Sequence, residues 1–378
     1  MISNKSLYRL FIFISGLSIL FLSAGWTTRN SNEQQGGKEK TTDEVFKNIK
    51  VLKGMPASQL LPTMHFFEAS LGFDCSNCHV RGHNDSDKKP EKRKARKMIE
   101  MMNAINKNDF EGKQVVTCFT CHRGTADPEK IPAVMTAAMM KERRSEEKSD
   151  EEEIKVPNRL NTPEEIISKY EQAIGGKDAF EKLTSIKLDG TVDLGNNRTA
   201  QLSITQKAPY YYYSAIKLPF GEFERGYDGT NGWVKNPRGV QELYGGDLQD
   251  MKLSADFYAP INFLKNFSAL KFSDVKLLNG DTVYVVDARY SDLRRFKFYF
   301  DAYSGLLLRQ IQYDKTLLGE LQTQTDYSDY RSVNGVLLPY EMHVANYERD
   351  QDIKFTNITA NQEVDNSIFN MPPKPANN

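Results

Sequence analysis

The spacing of apolar residues changes several times along this chain, and each change predicts a different kind of structure. Between the basic Lys5 and Arg9 and the polar Thr27, Thr28 and Arg29, the 17 residues from Leu10 to Trp26 carry no charge. That layout is an export segment, although 17 residues also reach the lower limit for a membrane-spanning helix. A cleaved signal and a retained N-terminal anchor, both over 1–29, therefore stay open. Ser23-Ala24-Gly25 offers small residues for cleavage, whereas Trp26 stands where a lipidated cysteine would be required. After a polar lead-in, helical spacing begins at Val45 and Phe46. Leu60, Leu61, Met64, Phe67 and Leu71 then predict an amphipathic helix from about Ala57, with Pro62 tolerated in its first turns and Gly72 as its stop. Ala95, Met98, Ile99, Met102 and Ile105 predict a second helix.

From Lys141 to Glu153 no apolar residue occurs. Such a charge run reads as a solvated linker, and beyond it the pattern differs. Thr162-Pro163-Glu164-Glu165 is a helix start, with Thr162 as N-cap and Glu165 completing a capping box. Ile166, Ile167, Tyr170 and Ile174 form its core face, and Gly175-Gly176 ends it. The period then becomes two. Segments 185–193, 198–206, 210–217, 221–227, 281–290, 293–301, 305–313, 318–330, 340–347 and 353–360 alternate and are rich in Tyr, Phe, Val and Thr. The one strong helical interruption falls around Asp247 to Ala259. Many strands joined by tight turns leave no room for crossover helices, so the sheet is expected to be antiparallel. In the run Tyr210 to Tyr213 two rings should face each way, toward a core, a cavity or an interface.

Composition narrows the picture. The 378 residues exceed one ordinary domain. Fifty Lys and Arg balance fifty Asp and Glu, leaving no excess positive charge for a phosphate backbone and excluding nucleic acid as an expected partner. The 4 cysteines are too few for a disulfide scaffold, and all of them fall in two motifs, Cys75-Ser76-Asn77-Cys78-His79 and Cys118-Phe119-Thr120-Cys121-His122.

Cys-x-x-Cys-His is the attachment pattern of haem c, in which two thiols bond the porphyrin and the adjoining histidine ligates the iron. Two Cys-x-x-Cys pairs could also form a zinc ribbon or thioredoxin-like redox centres. With only 5 histidines in the chain, however, one directly behind each pair by chance has odds of roughly one in six thousand. Two covalently bound haem c groups are expected. Cys75, Cys78, Cys118 and Cys121 would be their attachment points, and His79 and His122 their iron ligands. The export segment agrees, because covalent haem attachment takes place outside the cytoplasm.

Each iron needs a sixth ligand, and its identity separates electron transfer from catalysis. Met64 on the first helix and Met98 on the second precede the two motifs at distances that let the chain reverse and bring each sulfur toward a haem. His65 points to a different helix face from Met64. His83 sits in a polar segment that reads as a loop. Met55, Met101, Met102, Met135, Met139 and Met140 are further candidates by proximity, Met101 foremost because it shares a face with Met98. Arg123, directly behind His122, is either a haem-propionate partner or an ordinary surface residue.

Met64, Leu71-Gly72 and Cys75-x-x-Cys-His, followed by Ala95 to Met101, Ile105-Asn106 and Val116 to Gly124, resemble the cytochrome c subunit of photosynthetic reaction centres over about residues 45–127. In that family a methionine on the helix before each of three motifs binds iron opposite the histidine, and electrons pass along a row of haems. The resemblance implies Met64 and Met98 as sixth ligands. This chain has two motifs where the family has four, so a donor or acceptor role in another envelope redox chain is an equal expectation. In the second half, Ala173-Ile174-Gly175-Gly176, Tyr227-Asp228-Gly229, Gly232-Trp233, Asp301 to Leu306 and Tyr330 to Pro339 resemble the envelope lipoprotein-carrier family. That family folds as a curved, incomplete antiparallel barrel around an apolar cavity.

The expected chain is therefore multidomain: a mainly-α dihaem domain over 41–135, a charged linker over 136–161, and an α+β domain with an antiparallel β half-barrel over 162–378. Each side is expected to contain its own core. The expected function is electron transfer outside the cytoplasm, to or from a membrane redox complex or a small carrier, with a possible apolar ligand in the second domain. Two competing expectations stand beside it. One is a haem enzyme with an open iron site, for which only His65, His83 and His343 are to spare. The other is an envelope protein that binds an apolar ligand or a partner, with haem as an accessory.

Overall fold

The computed structural model describes residues 40–131, 158–195, 198–237 and 239–373, together with positions 137, 140, 154 and 156. The export segment over 1–29 and the charged run over 141–153 lie outside the described residues.

The first region is helical. A 3-10 turn at Ala57–Gln59 leads into α1 (Leu60–Leu71), and a single helical turn, α2 (Cys75–Cys78), follows the reversal at Gly72. The long α3 (Pro90–Asp109) precedes a second short helix, α4 (Cys118–His122). Gly72 ends α1 in the left-handed conformation, φ 62°, and its N–H donates to the carbonyl of Glu68, a conformation that glycine adopts without steric cost. Pro90 starts α3 where its missing N–H costs nothing. The shared apolar cluster is small: Leu52 and Met55 from the entry segment, Phe66 from α1, and Ile99 and Met102 from α3.

The second region is a single antiparallel sheet of 13 strands with helices packed on it. After α5 (Pro163–Ala173) and α6 (Gly176–Glu181) come β1 (Ser185–Asp193), β2 (Thr199–Lys207), β3 (Tyr211–Leu218), β4 (Gly221–Asp228), β5 (Gly232–Asn236) and β6 (Gly239–Glu242). Helices α7 (Gly245–Ala255) and α8 (Phe263–Asn266) cross to the far edge. There β7 (Ala269–Leu278), β8 (Asp281–Ser291), β9 (Arg294–Asp301), β10 (Leu307–Lys315), β11 (Glu320–Val333), β12 (Val336–Asn346) and β13 (Asp350–Ala360) return. The spatial order runs from β6 inward to β1, then β13, and outward again to β7. Among the described residues both edges are left unpaired, so the sheet is open and not a closed barrel. The pairing of β1 with β13, Ile186 opposite Ala360, joins the two meanders at the centre.

The capping box at Thr162 and Glu165 forms as expected, each backbone N–H donating to the other residue's side chain at 3.2 Å. Tyr170 of α5 and Phe263 of α8 press onto the alternating Phe296, Phe298 and Phe300 of β9. Their ring centroids lie 5.3 Å (Tyr170 to Phe300) and 4.7 Å (Phe263 to Phe298) apart. Aromatic side chains of the chain itself thus pack between these two helices and the sheet. Tyr212 is fully buried, whereas Tyr211 and Tyr213 pack on the opposite face against Phe369 and Trp233.

Ten strands fall close to the expected segments, and β5, β6 and β7 are additional. Strands β5 and β6 are short. Strand β7 is an edge strand with most of its side chains in solvent, which removes the alternation that sequence reading depends on. The segment expected at 318–330 begins as strand only at Glu320, because Thr316 to Gly319 form a turn that leaves the sheet. At its tip Leu318 is fully buried, inside the apolar cluster of the helical region with Leu52, Met55, Phe66, Ile99 and Met102. The two regions are therefore packed together, a contact that composition alone does not disclose.

Candidate haem attachment sites

Both Cys-x-x-Cys-His motifs adopt one construction. The residue before the first cysteine caps a one-turn helix, and the second x residue answers the cap. Asp74 accepts from Ser76 N (2.7 Å), while Asn77 Oδ1 accepts from Asp74 N (2.8 Å). Thr117 and Thr120 repeat the arrangement at the second motif, Thr120 Oγ1 accepting from Thr117 N at 3.0 Å. One helical turn brings the cysteines at i and i+3 to the same side. No two of the four cysteines form a disulfide. Burial pushes the Cys118 thiol up to about 11 and raises that of Cys78 as well. Cys75 donates to Glu68 Oε1 at 3.1 Å.

The histidines are held alike. His79 Nδ1 lies 2.9 Å from the carbonyl oxygen of Asn84, and His122 Nδ1 lies 3.0 Å from that of Thr125. A carbonyl can only accept, so each Nδ1 carries the proton and each Nε2 keeps a lone pair. This is the arrangement that orients histidine as a metal ligand.

Two further contacts fix the motifs within the fold. The buried Asn106, in the last turn of α3, donates through Nδ2 to Val116 O (2.7 Å). Its Oδ1 accepts from Val115 N (3.1 Å) and Val116 N (2.8 Å), gripping the strand-like segment that leads into α4. The end of α1 is stitched to the loop after α4, Gly124 N donating to Ser70 O at 2.9 Å. A Cβ at residue 72 would sit 2.4 Å from the carbonyl oxygen of Gly124, so this crossing requires glycine for space as well as for φ. Of these supporting residues only Gly72 has a role read from sequence, as the stop of α1. Asn106 enters only as part of a resemblance, and the caps lie in the residue before each motif, answered from a position that the motif writes as x.

The methionines separate by environment. Met64 is half-buried beside the apolar cluster. On α3, Met102 is in the core, whereas Met98 and Met101 are 42% and 49% exposed on one face. Met55 is a core residue and Met140 is exposed; Met135 and Met139 lie outside the described residues. His65 is buried and otherwise engaged, its Nδ1 2.9 Å from Glu68 and 3.4 Å from Glu348. His83 is exposed in a turn, and His343 pairs with Asp350 and Asp352 on the sheet. Arg123 is exposed, in the left-handed conformation directly behind His122.

These residues fit haem c. Each thiol pair is followed by a histidine with a free Nε2. Val115 and Phe119, within and just ahead of the second motif, and Met98 and Met101 on α3 are exposed, apolar side chains that a porphyrin face would cover.

The comparisons with known proteins agree. The model of the family "Photosynthetic reaction centre cytochrome C subunit" matches residues 23–206, just under half of the chain. The reaction centre cytochrome c subunit of Thermochromatium tepidum is 36% identical over 90 residues, 22% of this chain and 22% of that protein. That of Rubrivivax gelatinosus is 31% identical over 93 residues, 24% of this chain and 25% of that protein. The chain therefore spans about a quarter or less of the length of these curated relatives. Among solved structures, a DUF1329 family protein from Desulfovibrio piger aligns with a TM-score of 0.42 and 12% identity, over 56% of this chain and 98% of that one. A LolA superfamily protein from Nitrosomonas europaea aligns with a TM-score of 0.38 and 12% identity, over the same shares. Over its first half, then, this chain is similar to the photosynthetic reaction centre cytochrome c subunits.

Proposed function

We propose that the protein is an extracytoplasmic dihaem c-type cytochrome that carries electrons to or from a membrane-bound redox complex or a small carrier. The observation that carries this reading is the matched pair of histidines, each directly behind a capped Cys-x-x-Cys turn and each with Nδ1 tied to a backbone carbonyl. In this reading Cys75 and Cys78 hold one haem, Cys118 and Cys121 the other, and His79 and His122 are the near-side ligands. Met64 and Met98 would supply the further iron ligands, and Arg123 would pair with a propionate. Bound haem supplies a one-electron couple. A thioether on the far side raises its potential and leaves no position for substrate, which suits a carrier better than an enzyme.

The chain's own contribution is placement. The short helices set the thiols, the carbonyls set the histidine tautomer, and the apolar cluster keeps water from one side of the ligand helices. The exported protein should retain two haems through denaturing electrophoresis with peroxidase staining, and its mass should exceed that of the processed chain by two haems. An unstained band at the apoprotein mass would end this reading and revive zinc.

A further inference from the structure

Leu318 lies at the tip of a hairpin turn, a place where side chains ordinarily meet solvent, yet it has no exposed surface. The tip is locked. Thr316 donates through both N–H and Oγ1 to Gly319 O (2.7 and 2.8 Å), and Leu318 N donates to Thr316 Oγ1 at 3.2 Å. Its surroundings come from both motif units. Phe66 of α1 follows Met64 by two residues, and Ile99 of α3 adjoins Met98; both share the apolar cluster with Leu318, flanked by Met64, Val116 and Cys118. Gly319 lies so close to α1 that a Cβ there would come within 2.2 Å of the Phe66 ring. From the segment leading to α4, Gln114 Nε2 donates to the carbonyl of Leu317.

We propose that this tip, with Leu318 as its key residue, is a positioning element for the haem pair, which gives the β domain a direct part in electron transfer. The proposal rests on the reading of both units as haem sites. One hydrogen-bonded turn packs against the helix bearing Met64 and the lead into the second attachment turn, and shares one apolar cluster with Ile99 of the helix bearing Met98. The spacing of the two methionine helices is therefore set from the second domain. Ligand geometry tolerates errors of only about 0.5 Å, and a wedge filling the gap between helices holds them within that margin in a way that a void would not.

The test uses the full-length, haem-loaded protein with Leu318→Ala, Gly319→Ala and the volume-conserving Leu318→Met. An anaerobic redox titration, the fraction of high-spin iron and the melting temperature are read together. Leu318→Ala and Gly319→Ala should change the equilibrium of electron sharing between the two haems by about tenfold, about 59 mV for a one-electron couple, and raise the high-spin fraction. Leu318→Met should titrate as wild type. Loss of haem from the first two, with full loading of Leu318→Met, has the same meaning. If Leu318→Ala and Gly319→Ala melt earlier but titrate as wild type, the tip only adds stability and the proposal falls. Should Leu318→Ala fail to accumulate, Gly319→Ala carries the test, since it keeps the leucine and displaces the tip. A wild-type protein without covalent haem would overturn the haem reading instead, and shows before any variant is made.

Discussion

The two Cys-x-x-Cys-His units share their short-range chemistry and differ in everything long-range. Each has a capped turn and a histidine whose Nδ1 faces a carbonyl, five residues on in the first unit and three in the second. The helices before them are unlike. Helix α1 is apolar and enclosed: its Phe66 is in the shared cluster, and its buried His65 faces Glu348 and Tyr347 of the second domain. Helix α3 is strongly charged and keeps Met98 and Met101 in solvent. Attachment, then, is encoded within a few residues and can be repeated. What covers the helix ahead of each unit differs: α1 meets Glu348 of the second domain, whereas α3 presents Met98 and Met101 to solvent.

The largest test of this difference replaces the methionines. Met64→Ala and Met98→Ala should each produce one high-spin iron that binds carbon monoxide and has a lowered potential. Only Met64→Ala removes packed apolar surface, so it should also cost about 2 kcal/mol of stability, while Met98→Ala, at an exposed position, should stay within about 0.5 kcal/mol. Met101→Ala should leave both spectra as they are. A wild-type spectrum for Met98→Ala together with a high-spin iron in Met101→Ala would exchange the two roles.

A spectroscopically smaller effect, one of stability and confined to the second unit, is expected at Asn106. Its side chain satisfies two backbone N–H groups and one carbonyl ahead of α4, and alanine would leave these without their partner in a partly buried place, at a cost of about 2–3 kcal/mol. Thermal melting followed at the haem absorbance should show the second haem released or perturbed before the first. If both haems respond equally, the two units are mechanically one.

Most of this architecture was legible in the sequence, and the illegible part has a common cause. Helices α1, α3 and α5 follow from apolar spacing and their stops, the interior strands from alternation, and the two Cys-x-x-Cys-His motifs are read directly off the chain. Leu318 was legible as an apolar residue at the head of a strand, but nothing local tells that its turn leaves the sheet and enters another domain's core. The grip of Asn106 on residues 115 and 116 is equally non-local in origin, since any asparagine in a last helical turn reads as a plain helix end. Edge strand β7 lacked a pattern because it has little to bury. Local periodicity reports which face is apolar and is silent about which partner covers it.

The smallest effect is electrostatic and belongs to the first unit. Asp87, in the loop between His79 and α3, receives Arg96 at 3.0 Å, Lys50 at 2.9 Å and Asn48 Nδ2 at 2.8 Å, tying that loop to α3 and to the entry segment. The Arg96 guanidinium first, and Lys50 after it, hold this carboxyl well below the usual carboxylate range. A depressed folded-state pKa contributes stability that is present above the unfolded value, near 4, and is lost as the pH falls through the folded value. Between pH 7 and pH 5 the contribution should therefore stay constant, and it should fade only in stronger acid. Asp87→Asn should lower the melting temperature of the first haem's signal by a small, constant amount across pH 5 to 7, and the two proteins should converge on acidification. Salt should shrink the gap, because pairs open to solvent are screened. A gap unchanged by both acid and salt would mean that Asp87 acts through its hydrogen-bonding shape alone, and the loop after His79 would then be held by the neutral contacts that both units share.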